Sequence, residues 1–182
     1  MAVGMTLDGT AALTSVTLRH VRADDEPFLR ALYASTRERE LSIVPWSEEQ
    51  KAAFLRMQFD AQDSCYCTRY PGAQRDVIEI AGVPAGRLYV FAGAGELRVM
   101  DIALLPQYRN RGVGGSLMQT ILQTAAEAGR VVTTHVEVDN PARHLYERLR
   151  FAPVEQRGTH LLMRWVPSED RQSWSAQHTS IA

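Results

Sequence analysis

The chain is short of the residues that staple small folds together: it carries two cysteines among 182 residues, Cys65 and Cys67. Their Cys-x-Cys spacing comes without the further ligands of a structural zinc site, so neither a disulfide framework nor a zinc fold is written into the sequence. Reduced thiols and a cytoplasmic location are the expectation. His135 and His144 are scattered rather than clustered, so no metal is expected. Excess charge of one sign is missing too. A formal net charge of -1 gives no electrostatic case for nucleic acid or an anionic membrane as main partner. No uncharged apolar run is long enough to cross a bilayer, and residues 1–15 lack the basic start and apolar core of an export signal. Repeats of fixed period and low-complexity blocks are also absent.

What is there suits one globular domain: 45% hydrophobic and 23% charged residues in a chain long enough to bury a core unaided. Residues 1–15, rich in Gly, Ala, Thr and Ser, read as a frayed leader, 16–166 as the domain, and 167–182 as a polar, disordered tail.

The centre of the domain lies between Asp101 and Ala128. The apolar run Asp101-Ile102-Ala103-Leu104-Leu105 stops at Pro106, and the basic, glycine-rich stretch Arg109-Asn110-Arg111-Gly112-Val113-Gly114-Gly115-Ser116 follows. Val113, Leu117, Met118, Ile121, Leu122, Ala125 and Ala126 then recur at helical spacing. The pattern is strand, loop, helix. A helix N-terminus carries unpartnered N–H groups and about half a positive charge, and glycines let a bulky anion approach the main chain. Arg109 and Arg111 add forked donors suited to phosphate oxygens. The stretch therefore reads as a cradle for a diphosphate.

Other readings of the same glycines compete. They could simply turn strand into helix with the arginines solvated. A Walker loop is excluded, since no lysine follows the glycines. A dinucleotide fingerprint fits poorly, because Leu117 stands where its last glycine belongs and a proline plus a basic loop separate strand from glycines.

Along the chain, Val16 to Arg22 alternates as a strand. Asp24 is positioned to cap a helix containing Phe28, Leu29, Leu32 and Tyr33. Ser47-Glu48-Glu49-Gln50 matches a capping box, opening a second helix expected to end near Asp60. After the turn Tyr70-Pro71-Gly72, Val77–Ile80 and Arg87–Phe91 read as a hairpin around residues 81–86, and Gly93-Ala94-Gly95 leads into a third strand over Leu97–Leu105. Beyond the central helix, which Gly129 ends, Val131–Val138 reads as a buried strand. Asn140-Pro141 then starts a short helix with Ala142, Leu145, Tyr146 and Leu149 on one face. Phe151–Val154 and Leu161–Trp165 supply the last strands. The order implies a mixed α/β or α+β layer with helices on a central sheet.

Two segments carry a family resemblance. Arg109-Asn110-Arg111-Gly112-Val113-Gly114 is similar to the acyl-CoA motif Gln/Arg-x-x-Gly-x-Gly/Ala of the GCN5-related N-acetyltransferase (GNAT) superfamily. The stretch Asn140 to Phe151 resembles that superfamily's Asn-x-x-Ala/Ser-x-x-x-Tyr-x-x-x-Gly-Phe segment, with Arg150 in place of the usual glycine. The element order agrees from Val16 to Trp165. The resemblance implies a mainly antiparallel sheet of six to seven strands with helices on both faces and a fourth strand splayed from the fifth. It implies acetyl-CoA as cosubstrate, its pantetheine arm along Ile102, Ala103 and Leu104 and its pyrophosphate on the main chain of Arg111, Gly112, Val113, Gly114, Gly115 and Ser116. It also implies an oxyanion donor near Leu104. Pairing through a sheet edge into a homodimer belongs to the same implication, although no stretch reads specifically as an interface.

Transfer of acetyl from a thioester to an amine needs a base, an oxyanion donor and a proton for the departing thiolate. Asp101, His135 and Glu137, on the two strands that would flank the cleft, are the candidate bases. By resemblance Tyr146 holds the general-acid position, and a phenol of pKa about 10 can donate to a thiolate whose thiol lies near about 8.5. By pattern alone Tyr146 equally fits the buried stripe of Ala142, Leu145 and Leu149. Asn140 is expected to cap its helix and to contact the cofactor. The acceptor, an unidentified primary amine, would lie among the first two helices and their loops, where Arg37, Arg39, Glu40, Trp46 and Tyr66 supply charge and aromatic surface. Two alternatives to a direct-transfer acetyltransferase stand beside it: a non-catalytic acyl-CoA sensor or assembly module, and an oxidoreductase that binds a dinucleotide at the glycine turn.

Overall fold

The structure, a computed structural model, describes residues 15–167; the expected leader and tail lie outside the described residues apart from Ser15 and Pro167. Alternating side chains make Val16–His20 the first strand, β1. It stops short of Arg22 because the chain turns there. The Arg22 N–H donates to Asp25 Oδ2 at 2.7 Å, closing a 3-10 turn over Ala23–Asp25 that leads into helix α1, Glu26–Ser42. The carboxylate that accepts at this corner is therefore the buried Asp25, whereas the spacing offers Asp24 as the helix cap.

Helix α2 opens with the expected capping box: Ser47 Oγ accepts from the Gln50 N–H at 3.2 Å, and Gln50 Oε1 accepts from the Ser47 N–H at 2.9 Å. It spans Glu48–Arg69, well past the expected end near Asp60. Neither glycine nor proline interrupts residues 61–69, and the break comes only at Tyr70-Pro71-Gly72. The added turns carry Gln62 and Tyr66. Leu29, Tyr33 and Phe59 pack together where α1 meets α2, with Val21, Phe28 and Leu55 against them.

Strands β2 (Gln74–Ile80) and β3 (Val83–Ala92) are joined by only two residues, Ala81 and Gly82, both at positive φ (51° and 74°). That is the backbone of a tight primed turn, so residues 83–86, expected in the loop, belong to β3. Along β3, Ala85 to Tyr89 are all buried, Arg87 included. Strand β4 covers Glu96–Leu104. A Cβ on Gly86 would run into the Ala103 carbonyl oxygen, so the missing side chain is what lets β4 lie against β3 at this point.

Helix α3 spans Val113–Glu127 and buries Leu117, Met118, Leu122 and Ala125, the stripe read from the sequence; Ala126 at its margin is exposed. The helix ends in a Schellman motif: Gly129 takes φ 59° while its N–H donates to Ala126 O and that of Arg130 to Ala125 O. Then come β5 (Val131–Glu137), α4 (Arg143–Arg148), β6 (Ala152–Arg157) and β7 (His160–Trp165).

Seven strands hydrogen-bond in the order β1-β2-β3-β4-β5-β7-β6. β1 runs antiparallel to β2 and β7 antiparallel to both β5 and β6, whereas β4 and β5 are parallel. This is the mixed, mainly antiparallel sheet expected. The parallel ladder runs from Glu96↔Val131 to Val99↔Thr134, and β4 continues beyond it to Leu104. The chain falls into two compact units, one holding the described residues up to Tyr89 with Asp101–Gly114, the other Val90–Met100 with the described residues from Gly115. Among the described residues no helix is long and apolar enough to cross a membrane.

Candidate active site

In the first unit, β4 delivers Asp101, Ile102, Ala103 and Leu104 to the start of the basic loop. A 3-10 turn at Pro106–Tyr108 follows, then Arg109 to Gly112. The Leu105 N–H donates to Ala85 O at 2.9 Å, so the strand end stays tied to β3. Asn110 and Gly112 both take positive φ, 59° and 83°, a bend that asparagine tolerates and glycine adopts freely. Arg111 and Gly112 are exposed, and α3 begins at Val113 with no acidic residue in its first turn. A first turn made of Val113, Gly114, Gly115 and Ser116 offers main-chain N–H donors without a competing carboxylate. Such a donor set fits a phosphate.

Arg109 is deployed differently from Arg111. Its Nε donates to Leu104 O at 2.7 Å, and Nη2 donates to Ser35 O at 3.2 Å and Ser35 Oγ at 3.0 Å. One guanidinium thus joins the end of β4 to α1. Ser35 also lines a groove of about 490 Å³ between α1 and α2, whose walls include Glu38, Leu41, Lys51 and Leu55. Of the residues suggested for acceptor binding, Arg37, Arg39, Glu40, Trp46 and Tyr66 are not in its lining.

Asp101 stands in a polar cluster that no sequence spacing announces. Its Oδ2 accepts from Arg87 Nη2 at 2.5 Å and from the Tyr66 hydroxyl at 3.3 Å, while Arg87 Nη2 also donates to Gln62 Oε1 at 2.7 Å. The Arg87 side chain is 4% exposed and that of Asp101 14%. Burial opposes the Arg87 charge, but Asp101, Tyr89 and Tyr66 together outweigh it and hold the guanidinium above its ordinary range. Burial first, then the Asp101 charge, pushes the Tyr66 phenol far above its usual pKa, so it remains a hydrogen-bond donor. Tyr89 sets its ring edge-on to Tyr66 at 5.9 Å, with Arg87 5.3 Å and Arg75 5.0 Å from its centroid. Among the described residues, Arg87 Nε is buried without a hydrogen-bond partner.

Arg87 and Gln62 are the residues that sequence reasoning passed over, and Tyr66, named there for the acceptor surface, instead contacts Asp101. A signal existed. One arginine in the otherwise apolar stretch of β3 and one aspartate heading the apolar run of β4 had to find each other or face the cost of a lone buried charge.

The second unit holds Tyr146, Asn140 and Glu137. Asn140 Oδ1 accepts from the Ala142 N–H at 2.9 Å and its carbonyl from the Arg143 N–H at 3.0 Å, so it organises the turn into α4. Tyr146 is buried, 4% exposed, with its ring 5.4 Å from that of Phe151. Here a second Schellman motif closes the helix: the Phe151 N–H donates to Tyr146 O and the Arg150 N–H to Glu147 O. Arg150, in the place where the resemblance expects glycine, takes the left-handed conformation nonetheless, with φ 67°. Glu137 ends β5 and lies 4.0 Å from His160. The His135 imidazole sits below its ordinary pKa, through burial first and then the Arg98 charge. Gly115 has Leu145 in ordinary contact beyond its Cα.

Comparison with solved structures agrees with the fold. The N-acetyltransferase PaiA of Thermoplasma acidophilum, solved with coenzyme A, superposes with a TM-score of 0.64 at 15% identity, covering 84% of this chain and 99% of that one. A GCN5-related N-acetyltransferase of Rhodopseudomonas palustris gives 0.62 at 18% identity, over 87% and 99% of the two chains. The ribosomal-protein-S18-alanine N-acetyltransferase of Escherichia coli gives 0.55 at 19% identity, over 84% and 94%. At these identities the likeness is one of fold. Among curated proteins none matches the chain in sequence. The model of the acetyltransferase (GNAT) family matches residues 26–151, from the start of α1 through the Schellman turn behind Tyr146, and the chain belongs to that family.

Proposed function

We propose that this acetyltransferase moves acetyl from acetyl-CoA directly to a primary amine in a ternary complex, with Tyr146 as general acid and Asp101 as general base. The observation that carries the reading is the continuous segment from β4 through the glycine loop into α3, found inside the stretch that matches the family model. Acetyl-CoA supplies the activated thioester. The first-turn N–H groups of α3 and the exposed Arg111 bind its pyrophosphate, and the main chain of Ile102, Ala103 and Leu104 receives its pantetheine arm.

The amine lone pair attacks the thioester carbonyl, and a main-chain N–H near Leu104 takes up the developing oxyanion charge. As the C–N bond forms, Asp101 accepts the amine proton. The C–S bond then breaks with its electron pair on sulfur, and the Tyr146 hydroxyl donates the proton that turns thiolate into thiol. Asp101 is preferred to Glu137 and His135 because its carboxylate is oriented by hydrogen bonds from Arg87 and Tyr66. The groove between α1 and α2 is the acceptor's side of the site.

Calorimetric titration with acetyl-CoA, CoA and NAD tests the cradle. Binding of acetyl-CoA at about micromolar Kd, near -8 kcal/mol, that is lost on Gly114→Val supports it; heat with NAD alone points to a dinucleotide enzyme. Tyr146→Phe tests the acid: kcat should fall by about 100-fold or more with acetyl-CoA affinity retained. Tight acetyl-CoA binding without turnover of any amine would instead make the chain a sensor or assembly module.

A further inference from the structure

The Arg87–Asp101 pair is an odd device for stability. An ion pair this deep contributes little net stabilisation, because apolar residues of similar size commonly do as well, and a pair kept for strength has its remaining donors satisfied. Here they are not. Arg87 is 3% exposed and its Nε has no hydrogen-bond partner among the described residues. Both contacts to Asp101, from Arg87 Nη2 and from Tyr66, fall on a single oxygen, Oδ2. Gln62 steadies the same Nη2 from α2. The carboxylate is also the more exposed partner, 14% against 4%.

We propose that Arg87 is a positioning residue for acyl transfer: together with Tyr66 it clamps Oδ2 and leaves Oδ1 as the oxygen that receives the amine proton. This rests on the reading of Asp101 as the base. The groups facing Asp101 are Arg87 and Tyr89 from β3 and Tyr66 and Gln62 from α2; Arg75 of β2 lies beyond Tyr89 and is paired with Asp63. Arg87 is thus the one cation in direct contact with Asp101 among the described residues. Without the clamp the Asp101 carboxylate is free to turn, so the base no longer sits where the amine proton leaves and the chemical step slows while cosubstrate binding does not.

The test uses the full chain and its Arg87→Met, Arg87→Lys and Asp101→Asn variants. Rates of CoA release from acetyl-CoA are followed with a panel of primary amines: an alkylamine, a diamine and an alanine-terminated peptide. Stability is followed separately by urea unfolding. Arg87→Met should lower kcat by about 100-fold, with acetyl-CoA affinity and the KM for the amine unchanged. Arg87→Lys, which keeps the charge and is the milder change for folding, should recover part of the rate but not all of it, for want of the planar fork. A packing role alone would lower stability and leave kcat in place, and that result overturns the inference. Equal turnover by Asp101→Asn and wild type defeats the base reading, and the inference with it. A dead Asp101→Asn beside an Arg87→Met variant with wild-type kcat defeats the Arg87 inference alone.

Discussion

Among the arginine–aspartate pairs of the first unit, Arg19–Asp25 and Arg87–Asp101 are built on opposite plans. At the end of β1, Arg19 gives Nη1 and Nη2 to the two oxygens of Asp25, each at 2.7 Å, and Nε to Glu79 at 2.6 Å. Asp25 Oδ2 also accepts the Arg22 N–H that closes the turn. Every oxygen and every arm has a task. On β3 and β4, Arg87 reaches Asp101 through one nitrogen and one oxygen, and its Nε is left over. The first pair holds a corner, since a bidentate fork fixes both position and angle. In the second, one carboxylate oxygen stays uncommitted, which is what a group that must exchange a proton requires.

Three experiments bear on that contrast. The largest effect is expected from Asp25→Ala, which strips the fork and the turn at once: a loss of about 2 to 3 kcal/mol in urea unfolding, with kcat/KM unchanged for any amine that is turned over. Should activity fall more than stability, the two pairs would not divide as described.

Acid titration gives the next effect. The Arg19 guanidinium, and after it the Arg22 N–H, holds the Asp25 carboxyl below its ordinary 3.8 although burial acts the other way. A depressed folded-state pKa contributes stability above the unfolded value that is lost as pH falls through the folded one. The melting temperature should therefore drop steeply below about pH 4, and Asp25→Asn should flatten that drop. An unchanged slope would detach Asp25 from acid unfolding.

Tyr66→Phe should do least. It removes a single hydroxyl, 3.3 Å from Asp101 Oδ2, and leaves Arg87 in place. Turnover should fall by less than about tenfold and stability by about 1 kcal/mol or less. A collapse to the level of Asp101→Asn would move the main clamp from Arg87 to Tyr66.

The sequence disclosed these regions unequally. The stripe of α3 and its Gly129 end were plain, because a period of 3.6 over fifteen residues and a terminal glycine are local signals. The capping box of Ser47 and Gln50 was equally readable. The far end of α2 was not, since Gln62, Asp63 and Ser64 lack an apolar rhythm and only the absence of a breaker extends the helix. Whether Asp24 or Asp25 would cap depended on Arg19, a strand away. Arg87 and Asp101 are fourteen positions apart and meet only because the Gly93–Gly95 turn folds β4 back along β3. Local pattern carries no record of such a meeting. The glycine cradle was legible as a loop, but not the employment of its first arginine, because Ser35 lies on another element.

That employment has a thermodynamic consequence. Bridging Leu104 and Ser35, Arg109 fixes where β4 ends and where the loop begins while the chain is folding. Backbone freedom surrendered at that stage is not surrendered again when a ligand arrives. For the loop that leads into α3, the entropy of ordering thus falls on the folding equilibrium rather than on each cycle of cosubstrate capture and release.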